Sequence, residues 1–555
     1  MKFKLFIIFV LICLSCPAWA ATYYVKNGGN DSLDGLSDST AWATVARVAS
    51  TVRSGDTVYF RSQDTWEFST APFLTATAGV TYYGYTYGSG TRAKFKAVAG
   101  INNATAPLIR INASDVGFVG FEIDGNSLGA AGGGVYVGYG AAGAIDNVTV
   151  KDCYIHHIGN PTLVGGTHSI TDPNILSQAW APNWQYGLYA AGGTDNATHT
   201  NFYIIGNEVA YTYHEGIAIY TAWVRTNPKV NGVTVRGNTV HHCGTRPTYR
   251  SASGTFTNGG QGILVANDAD NVVVEFNYVH HNGANNVWFR TSPESATGAP
   301  NGLVIRYNLI SYAGASGLTD QNAQNLNIDA SIYGNIFINN GTSEDDYGYD
   351  IKLTNDTSTS TINIYNNTIY NTTNTNPFQA TVAINPYSGG EARANYVINF
   401  KNNIIYTSSS FKPIYDRFGE LVTSNNLIYR VGGSTLVSVG ATNYTSADLD
   451  DWDANAQTAD PAFTGGTLPT GFSGTYGSNM VPNTDYFQLT VDSPAKDTGA
   501  TLEGYTGSIN GAGLTTPIVR PLGAAFDIGA YEYGTVAQSG GSAGSGFKMQ
   551  GVTIR

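Results

Sequence analysis

An asparagine returns once every few dozen residues along this chain, each time inside the same short apolar frame. Asn207, Asn238, Asn277, Asn308, Asn335, Asn367, Asn403 and Asn426 stand 31, 39, 31, 27, 32, 36 and 23 residues apart. Two residues after each marker lies an apolar side chain, from Val209 and Val240 to Ile405 and Ile428. Three before it lies another, from Ile204 to Phe400, broken by Thr423. Five before it stand Phe202, Val233, Val272, Leu303, Ala330, Ile362, Ile398 and Leu421, and 148–159 fits the frame with Cys153 in the asparagine slot. Period-two alternation on both sides of a fixed turn means two short strands meeting at a corner. Self-similarity at this period marks a solenoid. A third strand follows a loop in most coils, as in Gly187-Leu188-Tyr189, Gly262-Ile263-Leu264-Val265 and Ile351-Lys352-Leu353. The expected fold class is therefore all-β, a parallel β-helix of three sheets with the asparagines stacked as an amide ladder. A TIM barrel would need helices between its strands, and none is patterned here.

The rest of the chain fits this frame. Charged residues make up only 12% of it, against 66 glycines and 36 tyrosines, the profile of a large β protein with many turns. Residues 1–20 read as a secretory signal peptide: Lys2 and Lys4, an apolar run from Leu5 to Leu14, and the small-x-small site Ala18-Trp19-Ala20. Cys16 invites a lipoprotein reading, but Cys13 stands where a branched aliphatic is wanted. No later segment approaches the roughly 20 apolar residues of a membrane span, so the protein is expected to be secreted or cell-surface associated. Removal of the two lysines carries the net charge from −12 to −14, which argues against nucleic acid as a partner. Only Cys153 and Cys243 survive processing, and they fall in different columns, so two unpaired core thiols are expected. The expected organisation is a cap and first strands over 21–105, with a helix over 44–52. Coils follow over 106–440, a turn-rich module over 441–533 and a flexible tail over 534–555.

Two stretches carry a resemblance. YYVKNGGNDSLDGLSDSTAWATVARV, running into SGDTVYFRSQDTW, is similar to the start of secreted bacterial right-handed parallel β-helix proteins of the pectate-lyase-like superfamily, and the repeats resemble the same group. DSPAKDTGA followed by RPLGAAFDIGAYEY resembles the C-terminal module called choice-of-anchor Q. The resemblance implies export, a right-handed helix and an extracellular polysaccharide partner. The superfamily holds lyases, hydrolases, epimerases, tailspikes and adhesins, so it does not single out a chemistry.

In that group a cleft lies beside the third strand of the coil, walled by the loop that precedes it. Here those loops are long at 159–185 and 244–260 and carry Trp180 and Trp184, while Trp223 sits in a neighbouring corner loop. Exposed aromatic faces suit the flat C–H surfaces of sugar rings. Parity on the third strands turns Trp288, Arg290, Lys352, Asp350, Tyr220 and Tyr189 outward. A lyase needs a base for the C5 proton and positive charge, or Ca2+, for the carboxylate. Lys352 and Arg290 are the candidates, against the bland alternative that Lys352 pairs with Asp350 and Arg290 faces solvent. A hydrolase needs two carboxyls about 5 Å or 6.5–9.5 Å apart, and Glu215, Asp320 and Asp350 lie near this face. His214-Glu215 is the most site-like dipeptide. The pairs His156-His157, His241-His242 and His280-His281 recur at a fixed repeat position and read as a structural stack, with no metal expected there. Glu344-Asp345-Asp346 leaves Ca2+ open as a cofactor. The function expected is cleavage or binding of an extracellular polysaccharide, by β-elimination ahead of hydrolysis. The alternative is a non-catalytic adhesion or matrix protein.

Overall fold

The computed structural model of the protein describes residues 20–534, apart from 100, 102–105, 129–132, 160–184, 193–196, 221–228, 245–248, 251–255, 258–259, 292–299, 323–327, 343–347, 355–359, 374–379, 387–396, 409–410, 475–479, 506–507 and 510–519. The side chains of residues 220, 249–250, 256–257 and 321–322 also lie outside the description. Among the described residues the chain winds through three long sheets of 14, 12 and 13 strands, named A, B and C in the order each coil visits them. Every pairing along the three sheets is parallel up to the closing Val437–Val439 and Thr442–Tyr444 hairpin. This is the right-handed parallel β-helix, the hand that parallel crossovers adopt in nearly all folds.

Inward side chains of all three sheets form one continuous core, from Val25 and Phe60 through Phe202, Ile305 and Phe337 to Ile428. The ladder at the A–B corner is continuous from Asn207 to Asn426. Each asparagine Nδ2 donates to the Oδ1 of the next, at 3.0 Å from Asn207 to Asn238 and 2.9 Å from Asn238 to Asn277. Its backbone N–H donates to the same oxygen, and the last asparagine is received by Asp453 Oδ2 at 2.8 Å. The residue before each marker has left-handed backbone, Gly206 and Gly237 at φ 66° and 67° but also Phe276 and Tyr307 at 55°. Cys153 ends the ladder by donating its backbone N–H to Asn207 Oδ1. Both cysteines are buried and free, and burial pushes each thiol up to about 12.

A short helix packs at the first coil. Helix Val45–Thr51, with Thr44 accepting the N–H of Arg47, lays Val45 and Val48 on the core beside fully buried Trp42. At the other end, the described residues of 460–534 fold back onto the outer face of sheet B. There Met480, Phe487, Ile509 and Tyr531 cover Leu309, Ile336 and Ile338. No helix among the described residues is long and apolar enough to cross a membrane.

Candidate functional site

Sheet C is where outward side chains gather. Strands Leu188–Ala191, Ile217–Tyr220, Ile263–Ala266, Val287–Thr291, Ser316–Asn322 and Tyr349–Leu353 stack in register. Leu188, Ile217, Ile263, Val287, Leu318 and Ile351 point into the core. The next residue of each strand therefore points out, giving the column Tyr189, Ala218, Leu264, Trp288, Thr319 and Lys352. Two residues further along run Ala191, Tyr220, Ala266 and Arg290. The structure thus brings Tyr189, Trp288, Arg290 and Lys352 onto one face, and the backbone of Tyr220 with them. Trp180, Trp184, Trp223 and the loop Glu344-Asp345-Asp346 lie outside the described residues.

This face is not a simple wet surface. Tyr136, Tyr186, Tyr189, Leu264 and Trp288 form an outward cluster that is nonetheless buried, with Tyr186 and Tyr189 centroids 4.9 Å apart. Tyr139 stands 5.6 Å from Tyr136 and keeps 37% of its surface exposed. The Arg290 guanidinium lies 4.4 Å over the Trp288 ring. A cation on the face of an indole is held electrostatically, by ~0.5–2 kcal/mol depending on solvent exclusion. Lys352 is half-buried. Loss of solvent draws its ammonium down to about 8, against the opposing pull of Asp320.

His214 and Glu215 sit at the start of strand Ile217–Tyr220, both buried, with His214 Nδ1 hydrogen-bonded to the Glu215 carboxylate. The Tyr186 ring meets His214 at 5.2 Å, which joins this pair to the tyrosine cluster.

Asp350 and Asp320 take other places than expected. Asp350 does not point out. It is fully buried at the B–C corner, accepting Asn340 Nδ2 at 2.8 Å and Asn371 Nδ2 at 2.7 Å. It closes a second amide chain that runs from Cys243 through Asn282, Asn286 and Asn340. Lys352 therefore does not pair with it across the outer face. Asp320 occupies the inward register of Phe289, is 1% exposed and accepts Thr354 N at 2.5 Å. Glu215 and Asp320 are three coils and four residues apart, ~20 Å, and Asp320 and Asp350 are one coil and three residues apart, ~11 Å. Neither separation suits the paired carboxyls of a glycosidase.

No family model matches the sequence, and none of the curated proteins does. Among solved structures the chain is similar to a pectate lyase, at TM-score 0.41 and 14% identity over 93% of this chain and 97% of that one. It is also similar to the A-module of a mannuronan C-5 epimerase from Azotobacter vinelandii, at TM-score 0.48 and 14% identity over 78% and 98%. A lacto-N-biosidase from Eubacterium ramulus gives 0.44 and 13% over 70% and 68%. At such identities no chemistry passes from these proteins to this chain.

A second cluster lies on the outer face of sheet B, and sequence patterning read it as bland. His156, His241 and His280 each meet the next histidine through their Nδ1 atoms, at 2.6, 2.8 and 2.8 Å. The His241 and His280 rings stack at 5.0 Å, as do His157 on Tyr211 and His281 on Tyr312 at 5.0 and 4.9 Å. Burial, and then neighbouring imidazoles, holds His280 at about 3 and lowers His157, His242 and His281. Stacked rings in a solenoid column are a structural device first. Strand Phe121–Asp124 adds what the sequence frame, which began at residue 148, left out: Glu122 and Asp124 one coil before His156.

Proposed function

We propose that the protein is exported and acts on an extracellular polysaccharide along the outer face of sheet C, by β-elimination at a uronic acid. What carries this reading is Lys352: a lysine drawn down to about 8 on the same face as Trp288 and Arg290. A general base works best with its pKa near the operating pH, and burial is how a lysine reaches that range. In the reaction the neutral Lys352 amine takes the C5 proton. The released electron pair becomes the C4–C5 double bond as the C4–O bond breaks, and the departing glycosidic oxygen takes a proton from water, giving an unsaturated uronate and a new reducing end. Arg290 would neutralise the carboxylate whose charge spreads in the enolate. Lys352 and Arg290 are two coils and two residues apart, ~12 Å between backbones, so both long side chains can reach one sugar residue. Tyr139, which keeps 37% of its surface exposed at the edge of the tyrosine cluster, would carry the chain further along the helix axis.

Purified mature protein incubated with pectins, alginate, glycosaminoglycans and neutral glycans, with and without Ca2+, tests the proposal. Ultraviolet absorbance from unsaturated ends together with new reducing ends is expected. The rate should rise with pH as Lys352 loses its proton around pH 8, and Lys352→Ala should lose 10²-fold or more. Reducing ends without unsaturation would replace elimination by hydrolysis. Silence across the panel, with binding retained, would favour the adhesion reading.

A further inference from the structure

The histidine pairs on sheet B look alike in sequence, but their surroundings differ in one decisive way. One coil before His156, in register with it, stands Asp124, whereas the residue in register before His241 is Ala210 and before His280 is His241. His156 and His241 each have a glutamate at Nε2, Glu122 at 3.2 Å and Glu208 at 3.3 Å. Among these three pairs, only the first has a carboxylate in register on the preceding coil, near the paired Nδ1 atoms. Asp124, His156 and His157 bring one carboxylate oxygen and two ring nitrogens within 4.8 Å of one another. His156 Nδ1 lies 3.8 Å from Asp124 Oδ1 and 2.6 Å from His157 Nδ1.

The other side of the His156 ring is also organised. Its Nε2 meets Glu122 Oε1 at 3.2 Å, while Tyr154 stacks on the ring at 4.0 Å. A carboxylate that accepts one ring N–H fixes the tautomer and leaves the lone pair on the opposite nitrogen, the arrangement found behind metal-bound histidines. Lys94 bonds Glu122 Oε1 at 2.8 Å and Asp124 Oδ2 at 2.7 Å. Asp124 Oδ1 accepts Asn126 N at 2.7 Å and keeps a lone pair toward the histidines.

We propose that Asp124, His156 and His157 form a site for a zinc-class divalent ion, with Glu122 as the residue that orients His156. Two imidazoles and a carboxylate suit zinc, with a fourth position left for water. Two nitrogens on one tetrahedral zinc stand ~3.3 Å apart for Zn–N bonds of ~2.0 Å. The 2.6 Å pair therefore has to open by a small turn of the half-buried His157 ring. The site lies on a different sheet from Lys352, so it stands or falls separately from the polysaccharide reading.

Untagged, metal-stripped full-length mature protein titrated with ZnCl2 should take up one ion per chain with Kd below about 10 μM. Asp124→Asn and His157→Asn should each weaken binding by roughly tenfold or more. His242→Asn should leave it unchanged. His157 and His242 share left-handed backbone, φ 53° and 52°, which asparagine tolerates, so these two variants carry the same backbone cost. Co2+ added to the wild-type protein should give the intense visible spectrum of four-coordinate nitrogen and oxygen ligation, a readout that needs no variant. No uptake at about 100 μM Zn2+, uptake that survives both Asp124→Asn and His157→Asn, or a weak six-coordinate Co2+ spectrum would each overturn the proposal.

Discussion

Asp350 ends a chain of buried amides, and its carboxyl must take whichever charge state that corner tolerates. Loss of solvent pushes it up to about 7 from an ordinary 3.8, although Asn340 and Asn371 donate to it. Below about pH 4 both folded and unfolded chains hold the proton, and the contribution to stability is complete. Between about 4 and 7 the unfolded chain has released a proton that the folded chain still holds, so stability falls as pH rises. Above 7 the loss is finished. Asp350→Asn keeps the shape and removes the titration, at a constant cost of ~1–3 kcal/mol from the acceptor that Asn371 Nδ2 loses. Urea unfolding at pH 5, 6 and 7 should show the wild-type advantage over Asp350→Asn shrinking by up to ~1.4 kcal/mol per unit. Asp527, held up at about 6, titrates in the same window but in both proteins, so it cancels. A wild-type advantage that stays constant with pH would show that Asp350 does not titrate there.

At the level of strands, the corner before each sheet C strand is a crowded point of the coil. Gly187, Gly216, Gly262, Asn286, Gly317 and Asp350 fall in register there. A Cβ on Gly262 would stand 2.6 Å from the carbonyl oxygen of Asn286 and 2.6 Å from Asn282 Nδ2. Gly262→Ala should therefore destabilise by ~1–3 kcal/mol or more. Gly143→Ala, where a Cβ meets nothing within 4 Å, should be neutral or slightly stabilising. Thermal unfolding of both variants checks this, and equal melting temperatures would sink the packing argument. The same corner explains what the sequence could and could not tell. The asparagine markers and their apolar frame are local and periodic, so the sheets, the ladder and the outward turn of Trp288, Arg290 and Lys352 were all legible. Parity fails at Asp350 because it stands at the corner, where Asn340 and Asn371 draw its carboxyl inside next to the inward Ile351. Glycine recurring at that position in the earlier coils was the available sign. Asp124 escaped because its partner His156 is adjacent only across a coil, 32 residues on, and a frame anchored on later asparagines did not reach it.

Across the whole molecule, the outer face of sheet B divides in two. Its N-terminal half carries Lys94, Glu122, Asp124, His156, Glu208 and His241, linked by ion pairs. Its C-terminal half presents Leu309, Ile336, Ile338, Ile404 and Leu427, all buried beneath 460–534. The covering segment is fastened by polar contacts as well as by Phe487, Leu489, Ile528 and Tyr531. Asn402 Oδ1 accepts Ala500 N at 2.7 Å, Asn425 Nδ2 donates to Thr498 O at 2.8 Å, and Asn366 Nδ2 donates to Asp527 O at 3.0 Å. These asparagines are the left-handed residues that precede the ladder, so the C-terminal segment reads the solenoid's own repeat from outside. A segment so placed has a folding role of its own, and any tethering to a surface must use residues other than its buried apolar ones. A chain ending at residue 459 would bare a contiguous apolar strip over several coils, a patch of the kind that drives association. The expected outcome is a lower melting temperature, binding of a hydrophobic dye and concentration-dependent association in sedimentation. A truncated chain that stays monomeric, dye-negative and as stable as the full one would mean that the strip is not held by this segment.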